Sequence, residues 1–218
     1  MIKETELKKE PIVCNLIIVD ASGSMQNKKS DVIGGLKELL DLIKTKSDIL
    51  QKTIIVQFSD TLKVLVNSNQ ANIETDIIDA YSPKGGTALL DAIGESFKLV
   101  PDYATAVYVS IITDGEENQS RKYSSLHVKD LITEKSKNNW LITFMGTTEE
   151  AVLSARNLGV NSINTMSFSD TSKGIKLSSS VRNKSMSNFY SDVERGLSVT
   201  SNVVPLETIK QNIESEEV

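Results

Sequence analysis

The chain alternates short, almost wholly apolar runs with longer stretches in which apolar residues recur every three to four positions. Residues 12–19 (IVCNLIIV) hold one polar side chain, Asn15, among eight. A run without in–out alternation reads as a strand covered on both faces, the habit of parallel sheets. A polar, glycine-containing turn follows over 20–29. From Asp31 onward, Val32, Ile33, Leu36, Leu39, Leu40 and Ile43 share one side of a 3.6-residue period and predict an amphipathic helix. Two β-rich runs, 53–58 and 62–66, flank a Ser59-Asp60 turn and read as a hairpin. A short helix is expected over 73–78.

The rhythm then repeats. A Pro/Gly loop at 82–86 leads into a helix opened by Thr87, with Leu89, Leu90, Ile93, Phe97 and Val100 on one face. Residues 106–112 form a strongly β-branched strand that ends at Thr113-Asp114-Gly115. A polar helix around 122–137, a strand at 140–145 and a helix at 149–158 follow. Gly159 is placed to close that helix from the C′ position. A last strand is expected at 163–168 and a last helix from 171 to about 190. Strands alternating with helices imply parallel pairing through crossovers, and so helices on both faces of one sheet. The expected class is α/β: a three-layer, doubly wound, mostly parallel sheet with one antiparallel edge strand from the hairpin.

Composition narrows the picture. With 218 residues one domain is expected. The division is a lead-in at 1–11, a body at 12–190 and an acidic, mobile tail at 191–218, with a short helix within 206–213. The formal net charge is −5, and the tail carries six acids against two bases, which leaves the body at −1. Such a chain lacks the cationic surplus that nucleic-acid binding needs. Cys14 is the only cysteine, so no internal disulfide forms; inside an apolar run it reads as a buried thiol. Lys3, Lys8 and Lys9 alternate with Glu4, Glu6 and Glu10, and no apolar stretch of leader length follows. No run approaches the ~18 apolar residues of a membrane span. A cytoplasmic location is therefore expected.

Three loops leave strands at the places where doubly wound sheets bind ligands. Asp20-Ala21-Ser22-Gly23-Ser24 sets three oxygen-bearing side chains at alternate positions, and alternate residues of an extended segment project to one side. Hard cations such as Mg²⁺ take oxygen donors in octahedral sites. An Asx or Ser turn before a helix reads equally well from these residues alone. Likewise Thr87, after Gly85-Gly86, can be an ordinary N-cap, and Asp114 a turn residue before Gly115.

Taken together, Asp20-x-Ser22-x-Ser24, Gly85-Gly86-Thr87 and Thr113-Asp114-Gly115 resemble the von Willebrand factor A (vWA) family, over about residues 12–190. The resemblance implies a metal-ion-dependent adhesion site (MIDAS). It implies that Ser22 and Ser24 bind the ion directly and that Thr87 does so directly or through water. It assigns Asp20 and Asp114 to holding coordinating waters or the serine hydroxyls. Mg²⁺ is the implied ion, with Mn²⁺ or Ca²⁺ as substitutes. The implied partner is a protein that supplies an Asp or Glu carboxylate, with neither nucleic acid nor membrane involved and the oligomeric state open. Intracellular members suggest an adaptor or assembly subunit. The alternative is a structural subunit of a larger particle, such as a virion, in which the metal only stabilises.

Enzyme readings find less support. A Ser-His-Asp hydrolase needs a base near Ser22 or Ser24, and the single His, His127, falls on a polar helix. An Asp20 phosphotransferase would want an acid at position 22, which is Ser22. Lys84-Gly85-Gly86-Thr87 echoes a phosphate loop, but Ala88-Leu89 stands where a Lys-Ser or Lys-Thr pair belongs. Lys84, Glu116 and Glu117 flank the loops as solvated charges or as tuners of partner choice. Trp140, Tyr81 and Tyr108 read as packing residues.

Overall fold

The computed structural model describes residues 10–216. Residues 1–9 of the expected lead-in and 217–218 of the expected tail lie outside them. Six strands form one sheet: β1 (Ile12–Asp20), β2 (Leu50–Phe58), β3 (Leu62–Ser68), β4 (Ala106–Thr113), β5 (Trp140–Gly146) and β6 (Thr165–Ser167). Their order is β3-β2-β1-β4-β5-β6. All neighbours pair in parallel except β2 and β3, which form the antiparallel edge hairpin, with a register shift between Ile55 and Val56. This is the doubly wound sheet expected from the pattern.

The central strand shows why the pattern is apolar on both sides. Successive side chains of β1 point to opposite faces. Val13, Ile17 and Val19 join one core, which also holds Leu36 and Leu39 of α1 (Lys29–Lys44) and Phe189 of α5 (Ser172–Glu194). Cys14, Leu16 and Ile18 join the other core, with α2 (Leu89–Phe97), α3 (Ser125–Ser136) and α4 (Glu149–Asn157). Burial pushes the Cys14 thiol up to about 12, which keeps it an uncharged packing group. Gly159 adopts φ +94°, the left-handed geometry of a helix-closing glycine. Trp140, Tyr81 and Tyr108 are all buried.

Several boundaries differ from the sequence reading. The turn after β1 is mostly a 3-10 segment, Gly23–Lys28, anchored by the fully buried Met25, so α1 starts at Lys29. The helix expected at 73–78 is a 3-10 turn, Thr75–Ala80. The last strand shortens to Thr165–Ser167 because Ser162–Asn164 turn as 3-10.

Among the described residues the acidic segment from 191 does not stand apart from the body. Helix α5 runs on to Glu194, and α6 (Leu206–Glu216) packs on the body. Leu206 and Ile209 are buried in the same core as α1 and α5, and the partly buried Ile213 packs against it from the next turn of the helix. Among the described residues no helix is long and apolar enough to cross a membrane.

Candidate functional site

Strand β1 is flanked by β2 on one side and β4 on the other, so the chain winds away in both directions from the β1–β4 pair. Loops beyond the carboxyl ends of such a pair are not tied together by a crossover and leave a crevice. Asp20 ends β1, and Asp114 immediately follows β4. The fold thus brings together two carboxylates 94 positions apart.

The Asp20 side chain is fully buried. Its Oδ1 accepts the Ser22 backbone N–H at 2.6 Å, and its Oδ2 accepts the Thr113 hydroxyl at 2.5 Å. The Tyr81 hydroxyl donates to the Asp20 backbone carbonyl at 2.5 Å. Burial raises the Asp20 carboxyl above its ordinary range, and the hydrogen bonds from Thr113 and Ser22 oppose that rise. Backbone bonds then zip the loops together. The Gly23 N–H donates to the Gly85 carbonyl at 2.9 Å and the Lys84 N–H to the Ala21 carbonyl at 2.7 Å. Gly85 is at φ +77°, and a Cβ there would lie 2.3 Å from Asp60 Oδ2. A glycine is needed at this position on both counts.

The two serine hydroxyls come together, although Ser24 sits in the 3-10 turn rather than in an extended segment. Ser22 Oγ and Ser24 Oγ are 3.0 Å apart. Ser24 Oγ donates to Asp114 Oδ1 at 2.7 Å, and Ser22 Oγ lies 3.5 Å from the same oxygen. Thr87 is buried, with Oγ1 3.2 Å from where a Cβ on Gly115 would stand; that point is 3.9 Å from Asp20 Oδ2. Gly115 therefore leaves space between the Thr87 hydroxyl and the Asp20 carboxylate. Hydrogen bonds thus join Ser22, Ser24 and Asp114 and tie Asp20 to the same loop, while Thr87 approaches Asp20 only across Gly115.

Thr87 is not the N-cap of α2, which starts two residues later. Its N–H donates instead to Asn118 Oδ1 at 3.0 Å, and the end of the helix is capped from another loop. Glu117 Oε2 accepts the Leu90 N–H at 2.8 Å, and Ser120 Oγ accepts the Asp91 N–H at 3.0 Å. In return, the Asp91 carboxylate accepts the N–H groups of Arg121, Lys122 and Tyr123, each at 2.9 Å. Glu117 is thus a structural cap, whereas Glu116 and Lys84 remain exposed loop charges. His127 is exposed on α3, with its ring centroid 4.9 Å from that of Tyr123.

Residues absent from the sequence reading complete the surroundings. The Lys28 ammonium pairs with Asp114 Oδ2 and with Asp170 in the β6–α5 loop, and it lies 3.4 Å from the Ser24 carbonyl. Burial alone would push this ammonium down, but the hydrogen bonds and charges of Asp114 and Asp170 outweigh burial and hold it above its ordinary value. Lys28 is four residues after Ser24, so a helical turn brings it back over that loop. This spacing is the one signal that marked it in the sequence.

The donors suit a hard divalent ion. An octahedral Mg²⁺ with bonds of ~2.0–2.1 Å sets neighbouring oxygens about 2.9 Å apart, close to the 3.0 Å between the serine hydroxyls. Asp20 is a buried carboxylate that makes no ion pair among the described residues, and Lys28 is taken up by Asp114 and Asp170. Asp20, Asp114 and Asp170 against Lys28 leave a formal −2. No cluster of three His, Cys, Asp or Glu side chains gathers among the described residues; three of the five candidate donors here are neutral hydroxyls.

Residues 16–117 match the family model of the von Willebrand factor type A domain. No curated protein sequence matches the chain. Among solved structures, proximal thread matrix protein 1 from the mussel byssus, with a zinc-occupied MIDAS motif, is 16% identical at a TM-score of 0.58. That alignment covers 78% of this chain and 46% of that one. The PilB minor pilin of Streptococcus sanguinis is 13% identical at 0.58, covering 90% and 64%. A von Willebrand factor type A protein from Catenulispora acidiphila is 17% identical at 0.55, covering 80% and 42%. The chain spans less than two thirds of the length of each. At these identities the likeness is one of fold, and the family match covers just under half of the chain.

Proposed function

We propose that the chain is a vWA-type binding module that holds a divalent ion, Mg²⁺ in the first instance, and uses it to capture an acidic side chain of a protein partner. The observation that carries this reading is the convergence of the Ser22 and Ser24 hydroxyls, 3.0 Å apart, on Asp114, beside the buried and unpaired Asp20. Ser22, Ser24 and Thr87 present the oxygens. Asp20 stands behind them, fixed by the Ser22 N–H and the Thr113 hydroxyl. Asp114 holds the serine hydroxyls in place. When bound, the ion supplies an electrophilic position that a carboxylate oxygen can complete. Because most of the donors are neutral, they leave much of the ion's charge uncancelled.

This is recognition chemistry rather than turnover. Neither serine hydroxyl is hydrogen-bonded to a histidine, and the only histidine sits exposed on α3. The reading is of a non-enzymatic adaptor or assembly subunit working in the cytoplasm. The mussel neighbour with zinc at its MIDAS motif lends support from the same fold.

The test is partner capture by the wild-type chain and by Thr87→Ala, each with Mg²⁺ and with chelator. Capture should be lost on chelation and in Thr87→Ala, while the melting temperature of the variant in chelator stays within a few degrees of wild type. Capture that survives both changes contradicts the metal-mediated mechanism and leaves the structural-subunit reading in its place.

A further inference from the structure

Lys28 is not accounted for by the five-residue site. It is the last residue of the 3-10 turn that carries Ser24, and its side chain is only 10% exposed. The Asp114 carboxylate is divided between two clients. Oδ1 accepts the Ser24 hydroxyl, and Oδ2 takes the Lys28 ammonium. The same ammonium reaches Asp170, whose side chain is 60% exposed in the loop between β6 and α5. One buried cation therefore ties the carboxylate beneath the serines to a loop at the far edge of the sheet.

We propose that Lys28 is a built-in counter-cation of the metal site: it neutralises Asp114 when no ion is bound, and it sets the divalent affinity by competing for that carboxylate. The inference rests on the metal reading of the same loops. Two like charges drawn to one carboxylate repel, and the repulsion is strong where water is largely excluded. A fixed ammonium on Asp114 Oδ2 therefore weakens every divalent ion that approaches the Oδ1 side. It also removes the need for an ion to keep Asp114 buried, because a buried carboxylate left without a partner is destabilising. Asp170 offsets part of the ammonium charge, so it moderates the penalty. The site is thereby made stable without metal and moderate in affinity with it, which suits reversible, ion-dependent capture.

The experiment is calorimetric titration of Mg²⁺ into the chelator-treated 218-residue chain, together with melting in chelator. Lys28→Met should bind Mg²⁺ at least tenfold more tightly than wild type and melt lower in chelator. Lys28→Arg, which keeps the charge, should stay within about threefold of wild type. Asp170→Asn should bind several-fold more weakly, because the ammonium then acts undiluted. Should Lys28→Met fail to fold without metal, Asp170→Asn decides: weaker binding supports the assignment, and unchanged or tighter binding overturns it. Wild type and Lys28→Met binding equally would overturn the role of Lys28 and leave the metal site standing. Equal tightening by Arg and Met would overturn it too, since charge would not be the cause. Absence of saturable binding in both wild type and Lys28→Met overturns the metal reading, and this inference with it.

Discussion

Strand β1 carries two buried polar groups, Asn15 in its middle and Asp20 at its end, and their surroundings differ in kind. Asn15 Nδ2 donates to the Tyr190 hydroxyl at 2.8 Å and to Gln51 Oε1 and Thr53 Oγ1 at 3.3 Å. Tyr190 in turn donates to Gln51 Oε1 at 2.8 Å, and Gln51 Nε2 donates to the carbonyls of Ile43 and Lys46. Burial pushes the Tyr190 hydroxyl above its ordinary value, so it stays a neutral donor. This network is uncharged and closed within the protein. The Asp20 cluster is charged, has no cation on Asp20 among the described residues, and lies where β1 gives way to its loop. On the proposed metal reading, the contrast separates a polar group that fixes packing from one that supports a binding site. Closure, rather than burial or polarity, is the distinguishing property.

The largest effect should come from breaking the closed network. Asn15→Ala leaves Tyr190, Gln51 and Thr53 short of partners, with an expected loss of about 3 kcal/mol. Chemical denaturation should show the same loss in Mg²⁺ and in chelator. The open cluster should behave in the opposite way. An ion that binds only the folded state adds about 2.7 kcal/mol at a hundredfold excess over its dissociation constant. Asp20→Ala should remove most of that gain, seen as a collapse of the melting shift between Mg²⁺ and chelator. Equal shifts in variant and wild type would erase the distinction between the two regions.

Asp91 provides the finest test, because it is charged yet closed. Burial alone would raise its carboxyl, but the N–H groups of Arg121, Lys122 and Tyr123 outweigh burial and hold it below the usual range. Its stabilising contribution is complete above the unfolded value of about 3.9 and is lost as pH falls through the lower folded value. Asp91→Asn should therefore flatten the acid limb of the stability curve below about pH 4, equally with and without Mg²⁺. A magnesium-dependent change would place the α2 cap inside the metal site.

What the sequence revealed follows from where each signal lies. Strands β1 and β4 were legible because burial on both faces demands uninterrupted apolar runs. The five candidate donors stood out because each lies within four residues of a strand end or in a loop with a recognisable spacing, and the structure joins Ser22, Ser24 and Asp114 by hydrogen bonds. Lys28 was not, since a lysine in a polar turn looks solvated until Asp114 and Asp170 arrive from 86 and 142 positions away. Glu117 read as a free loop charge because its client, the Leu90 N–H, belongs to a different element. Thr87 was read as a possible cap for the same reason, since the Asn118 side chain that takes its N–H belongs to another loop. A short helix within 206–213 was expected, but its docking was not legible, because the core that Leu206, Ile209 and Ile213 join is supplied by α1 and α5.

The most direct test of the central claim is calorimetric titration of Mg²⁺ into chelator-treated wild type and into a Ser22→Ala/Ser24→Ala double variant. The account predicts saturable binding of one ion per chain to the wild type and no saturable binding to the variant, with the fold retained in both. Binding that is absent from the wild type, or undiminished in the variant, would contradict it.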